Sequence, residues 1–201
     1  MQRTDAPIAV LGFRPHTYWT AVVALTGPAD DPRVIERRRV VFAGGDERGV
    51  YHQAAETPIV EAPALLAKVR AATLANTVRE LSALVADLQS DGLAIRAAVV
   101  PSGTARLPED LGEILRVHSR QHAAEGNFYR DVVAAACESM GLAVRRVVER
   151  DLPELTSDRL GLDRASLDER MKALGASLGP PWGEDYRLAT EAAWLQLGDE
   201  E

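Results

Sequence analysis

Two of the four histidines of this chain fall in one short run, His118-Ser119-Arg120-Gln121-His122-Ala123-Ala124-Glu125-Gly126. On an α-helix His118, His122 and Glu125 stand at i, i+4 and i+7 and share a face. Two imidazoles and a carboxylate on one face can ligate a divalent metal such as zinc. They can equally act as an acid–base set, because imidazole exchanges protons near neutral pH. Arg120 and Arg130 lie close by in sequence, and guanidinium groups suit an anion such as phosphate. A second run, Tyr51-His52-Gln53-Ala54-Ala55-Glu56, echoes the first, with His52 and Glu56 one helical turn apart. His16 follows Pro15 in a turn, and Arg14 beside it would complete an anion-binding corner. Each feature also has a plainer reading. A His/Glu face arises on solvated helices and in imidazole–carboxylate pairs packed on a sheet, and a turn histidine is often simply exposed.

Other chemistry is missing from the sequence. It contains no Walker loop, no Gly-x-Gly-x-x-Gly, no Cys-x-x-Cys and no Gly-x-Ser-x-Gly. The single cysteine, Cys137, sits in the apolar run VVAAACESMGL, where nothing lowers a thiol pKa, so it reads as a core residue. A formal net charge of −7 gives no global basic field, and any contact with nucleic acid needs a local basic patch. Arg37-Arg38-Arg39 alternates faces if it lies on a strand, and reads as charge protecting a sheet edge. Arg145-Arg146 reads the same way. Trp182, following Pro180-Pro181, reads as a packing plug, with a partner surface as the alternative.

The elements that must position these residues follow from hydrophobic pattern and turn chemistry. With 201 residues, 46% of them hydrophobic and 26% charged, the chain has the make-up of one globular domain. Strands are expected at 7–13, 17–26 and 33–43, joined by the Arg14-Pro15-His16 linker and the Gly27–Pro32 turn, which makes an antiparallel meander ended by Gly44-Gly45-Asp46. A short helical turn is expected at 49–56. Pro63 opens a long helix to about residue 90, with Leu66, Val69, Leu74, Val78, Leu81, Leu84, Val85 and Leu88 on one face. Residues 93–100, LAIRAAVV, read as a buried strand parallel to the first. The loop Pro101-Ser102-Gly103-Thr104 follows. A helical region from Pro108 to about 140 is expected to break near Ser119 or Gly126. A fifth strand at 142–149 precedes helices at about 151–160, 165–175 and 183–197, with the Asp199-Glu200-Glu201 tail frayed. The order is thus β-β-β-α-β-α-β with further C-terminal helices. Residues 1–150 form the core, and 151–201 form a helical extension packed on the same domain. No apolar run is long enough to span a membrane, and the low cysteine use fits a cytoplasmic setting.

This order resembles the ribonuclease H-like superfamily, an α/β class with a mixed five-stranded sheet. The opening strand, Leu11-Gly12-Phe13-Arg14-Pro15-His16-Thr17 and TAVVAL, is similar to the Holliday-junction resolvase branch. So is the last helix, from Glu184-Asp185 through LATEAAWLQL. The resemblance implies a nuclease-related protein that binds or processes nucleic acid. It implies two metal ions, held by carboxylates at strand ends, that activate water for phosphodiester cleavage. It also implies a catalytic carboxylate at Asp185, with Glu191 as a second acid on that helix. The position matching the first-strand Asp is Arg14, a cation. The fourth strand, Ala97-Ala98-Val99-Val100, supplies no Glu. What is expected is therefore the scaffold without the usual carboxylate set, with Mg, Mn or Zn as the metals to consider. The alternatives are a non-catalytic domain that binds another protein, or a metal-dependent hydrolase using His118, His122 and Glu125.

Overall fold

The computed structural model describes residues 6–42 and 49–197. The expected Gly44-Gly45-Asp46 stop and the acidic tail lie outside these residues. Five strands, β1 (Ile8–Pro15), β2 (Trp19–Thr26), β3 (Arg33–Val41), β4 (Ala94–Ser102) and β5 (Ala143–Val148), form one mixed sheet in the order β3-β2-β1-β4-β5. β1 and β2, and β2 and β3, pair antiparallel, whereas β4 lies parallel to β1 and β5 parallel to β4. This is the meander continued by two crossovers that the pattern predicts. The crossovers run through α1 (Val50–Ala55) with α2 (Ala62–Ser90), and through α3 (Leu111–Leu115) with α4 (His118–Ser139). A 3₁₀ turn then leads into α5 (Leu152–Leu160), α6 (Arg164–Leu178) and α7 (Glu184–Leu197).

Strand alternation sends two sets of side chains to opposite faces. Leu11, Phe13, Val22 and Ala24 meet α2 and α4 through Leu81, Leu84, Leu88, Phe128, Val132 and Val133. Val10, Val23, Leu25 and Ala97 meet α7 through Ala189, Ala193 and Leu197. The result is helix, sheet and helix in three layers. Cys137 is fully buried in the first layer, and that burial raises its thiol pKa to about 12. It is a packing residue, as its sequence surroundings suggest.

Two boundaries differ from expectation, and both matter for the site. β1 continues through Arg14 and Pro15, and the turn is the two-residue loop Thr17-Tyr18, closed by a hydrogen bond from the His16 amide to the Trp19 carbonyl. Proline is tolerated there because β4 pairs with β1 only as far as Gly12, so no β4 carbonyl needs an N–H from Pro15. Arg14 is therefore a strand residue, opposite Ala21. The break in the helical region falls at Arg116–Val117. Val117 is extended, and the Gln121 side chain donates to the Leu115 carbonyl at 2.6 Å, satisfying a group at the end of α3. His118 consequently begins α4.

Along the sheet edges the arginines have assigned partners. β3 and β5 are the two edge strands, as their charge suggests. Arg37 donates to the carbonyls of Leu178, Gly179, Pro180 and Pro181 and so fastens the α6–α7 connection to β3. Trp182 packs over Gly175, where a Cβ would stand 2.2 Å from its ring, and is the plug read from sequence.

The tightest approach in the fold is between α7 and β1. A Cβ on Gly12 would lie 1.9 Å from the Ala189 carbonyl oxygen and 2.5 Å from the Ala193 nitrogen. Backbone meets backbone here, and no side-chain rotation can make room. Gly12→Ala should lower stability by about 3 kcal/mol or more, at the upper end of overpacking effects. Urea unfolding measures this, and an unchanged midpoint would show that α7 does not lie on β1 as described.

Candidate functional site

The carboxyl ends of the parallel strands define one edge of the sheet, the usual place for a site in an open α/β sheet. Pro15, Ser102 and Val148 end β1, β4 and β5 there. Antiparallel pairing brings the start of β2 and the end of β3 to the same edge, and the connections then place α1 and the first turn of α4 beside it. α7 runs against β1, so that its first turn, with Asp185, also arrives there. Two groups of polar residues result.

The first group surrounds Arg14. Its guanidinium forms an ion pair with Glu149 and stands 3.8 Å from Asp185. Arg130 approaches Glu149 from α4 at 3.5 Å. The His16 Nε2 lies 2.7 Å from an Asp185 carboxylate oxygen, and its ring stacks on Trp19 at 4.2 Å. Arg39 closes the other side of this stack, 4.1 Å from the Trp19 ring centre. Two cations and two carboxylates, with an imidazole on one carboxylate, therefore share the end of β1. The Nε atoms of Arg14 and Arg130 are buried and make no hydrogen bond. Both are closed to solvent, and that of Arg14 faces the Asp185 carboxylate.

The second group lies on the α4 side. His52, on α1, meets His118 and His122 at the start of α4. Ring centroids are 5.1 Å apart for His52–His118, 4.7 Å for His52–His122 and 4.4 Å for His118–His122. The Nε2 atoms of His118 and His122 are 2.9 Å apart, so that one ring's N–H donates to the other's lone pair. A cleft of about 480 Å³ beside them is lined by Thr17, Tyr18, Gly49, His52, Glu56, His122 and Glu125. The two sequence runs that echo each other thus meet in space.

Glu125 is on the same helix but has a different task. It is 4% exposed, and its two oxygens accept the N–H groups of Val50 and Tyr51, both at 2.8 Å. It caps α1 from α4, satisfying backbone donors that a helix start leaves open. Gly49 makes this possible, because a Cβ there would stand 2.4 Å from the carboxylate. Glu125 therefore positions α1, and with it His52, instead of standing beside His118 and His122 as a third group. Burial first, and then the Glu125 charge, raise the phenol pKa values of Tyr51 and Tyr129. Tyr18, with a φ of 70°, holds the floor of the cleft in the left-handed region that bulky residues rarely occupy.

Other residues singled out in the sequence lie apart from both groups. Arg120 turns to α3, donating to the Glu113 carbonyl at 3.0 Å, with its carboxylate at 3.5 Å. Glu191 is buried against Arg164 of α6 at 2.6 Å, and burial raises its pKa while Arg164 opposes the rise. Of Asp185 and Glu191, Asp185 is the one at the carboxyl edge. Glu149, which sequence reading left as the last residue of a strand, is a central member of the first group. Its signal was its position just after a parallel strand.

The order and pairing of the strands, with helices on both faces, are those of solved RuvC structures. The chain is similar in structure to the Thermus thermophilus RuvC bound to a Holliday junction substrate, with a TM-score of 0.54 and 11% identity over 96% of this chain and 94% of that one. It is similar to a second T. thermophilus RuvC structure, with a TM-score of 0.51 and 10% identity over 96% of this chain and 95% of that one. No protein-family model matches the sequence, and no curated protein matches it significantly. Among the described residues no helix is long and apolar enough to cross a membrane.

Glu125→Ala strips two amides of their acceptor and should destabilise the protein by about 2–4 kcal/mol. The same change removes a negative charge beside Tyr129, whose ionisation should then move to lower pH while remaining above that of free tyrosine, because burial persists. Urea unfolding and ultraviolet titration of the tyrosines measure the two effects. An unchanged stability would place the Glu125 carboxylate elsewhere.

Proposed function

We propose that this protein binds nucleic acid at the carboxyl edge of its sheet and does not cut it by two-metal chemistry. The observation that carries this reading is Arg14 on β1, paired with Glu149 and close to Asp185. Two-metal cleavage needs carboxylates converging on divalent cations. At this edge the cations are built in, as the guanidinium groups of Arg14 and Arg130, and they already neutralise the acids that a metal would require. A divalent ion entering here would find the two carboxylates already balanced by two fixed positive charges.

What the edge keeps is suited to binding. Guanidinium groups form charge-assisted hydrogen bonds with phosphate oxygens, and Arg14 and Arg130 make such bonds by turning part of their fork from Glu149 to the ligand. The Trp19 stack with His16 and Arg39 adds a flat cationic surface beside them. The overall charge of −7 confines attraction to this local patch. The solved RuvC complex with a Holliday junction substrate makes branched DNA the first ligand to try.

The test is fluorescence anisotropy with a labelled four-way junction, a duplex and a single strand, at low and moderate salt, followed by strand analysis after incubation with Mg²⁺ or Mn²⁺. Binding should weaken as salt rises, and Arg14→Met and Arg130→Met should each reduce the salt dependence by about one phosphate contact. All strands should remain intact. Absence of binding to every probe at low salt would overturn the proposal. Metal-dependent cleavage that Asp185→Asn abolishes would overturn its non-cleaving part.

A further inference from the structure

We infer that His52, His118 and His122 form a binding site for a divalent transition metal of the zinc class, separate from the Arg14 edge. Each ring offers one nitrogen, and the three nitrogens lie within 4.8 Å of one another. Among the described residues these are the three side chains of metal-ligating type that converge in this way. In a tetrahedral zinc site, Zn–N bonds of about 2.0–2.1 Å put neighbouring nitrogens about 3.3 Å apart. The 2.9 Å between the Nε2 atoms of His118 and His122 is close to that spacing, and small rotations of two exposed side chains suffice to admit an ion.

Three further observations favour a ligand over a simple cluster of rings. The Nδ1 of His52 is buried and makes no hydrogen bond, a loss that a side chain accepts when its ring is held for another purpose. The rings meet edge to face or tilted, at 59–79°, so that nitrogens can point towards a shared centre, which parallel stacking would prevent. Finally, His52 is delivered by a dedicated device: the buried Glu125 carboxylate holds the first two amides of α1, fixing the helix that carries His52 against the helix that carries the other two. Glu125 thus acts one step further out than a group bonded to a ligand's ring, by fixing the backbone of the helix that carries His52.

The donor set decides the metal. Imidazole nitrogens suit Zn, Cu, Ni and Fe, whereas Mg prefers oxygen and octahedral geometry. Three protein ligands leave a fourth position open, the pattern in which a bound water or a substrate atom completes the shell. His52 and His122 line the same cleft as Thr17, Tyr18 and Glu56, which gives a fourth ligand a way in. The site does not depend on nucleic-acid binding, and either reading stands if the other fails.

The experiment is titration of the full chain with Zn²⁺ by calorimetry and with Co²⁺ by visible absorption, alongside thermal melts with and without metal. One equivalent should bind, the cobalt complex should show the intense bands of a four-coordinate site, and zinc should raise the melting temperature. His118→Ala and His122→Ala should each weaken binding by more than about 100-fold, because losing a ligand exceeds the loss of an outer-shell partner. Glu125→Gln should weaken it by about 10-fold with the stoichiometry intact. His118→Gln and His122→Gln, at exposed positions, serve if an alanine variant folds poorly, and His52→Asn does the same for His52→Ala. No saturable uptake by the wild type would overturn the proposal. So would uptake that the His52 variant leaves unchanged, since a pair of histidines one turn apart would then account for it.

Discussion

Gly12 has no side chain, and α7 lies against its backbone. Because a Cβ there would fall 1.9 Å from a carbonyl of α7, helix and strand touch along their main chains, with Ala189 and Ala193 forming the opposing surface. That contact sets the height and direction of α7 over the sheet. It carries Asp185 to the end of β1, beside Arg14 and His16, although the two segments are far apart in sequence. The other end of the helix is tied to the β2–β3 turn by the Trp194 indole, which donates to the Ala29 carbonyl at 2.8 Å. The last helix is thus part of the core layer, and the charges at the carboxyl edge meet because of it.

Those charges hold one another in place at the end of β1. Carboxylates crowded at strand ends repel each other unless cations separate them. Mobile divalent ions do this in two-metal enzymes, and the ions then do chemistry. A guanidinium does it here without an exchangeable ligand shell, so that it can bind and orient an anion but cannot activate water as a metal does. Arg14 and Arg130 satisfy Glu149, and His16 satisfies Asp185. The histidine group draws on α1 and α4 alone. The two groups share an edge of the sheet but no residue.

Much of this was legible in the sequence. Short apolar, β-branched runs at 7–13 and 17–26, the mostly buried 93–100 segment and the turn residues between them point to a meander followed by parallel crossovers, and the sheet has that order. The likeness of the His52 and His118–His122 runs is as readily coincidence in an alanine-rich chain, and the packing of α1 on α4 is what brings them together. Other features needed three dimensions. Pro15 looked like a turn because proline usually ends a ladder, yet its missing N–H goes unnoticed where β4 has already parted from β1. Glu125 shared a helical face with two histidines, and helical spacing cannot show that its partners are amides 74 and 75 residues earlier. Glu149 was hidden at a strand end, and only the parallel pairing of β5 with β4 brings it to Arg14. Arg120 and Arg130 looked alike in sequence. Ten residues of helix leave them about 80° apart around α4 and nearly three turns apart along it, so that the first meets α3 and the second the carboxyl edge.

The claim on which the account rests is that the Arg14 edge is where nucleic acid is held. Amide and arginine side-chain resonances of the isotope-labelled protein, followed during titration with a four-way DNA junction, address it directly. Shifts should concentrate on Arg14, His16, Trp19, Arg130 and Glu149, with the Arg14 and Arg130 Nε–H signals among the largest. Shifts confined to another face, or none at concentrations where the spectrum remains intact, would contradict it.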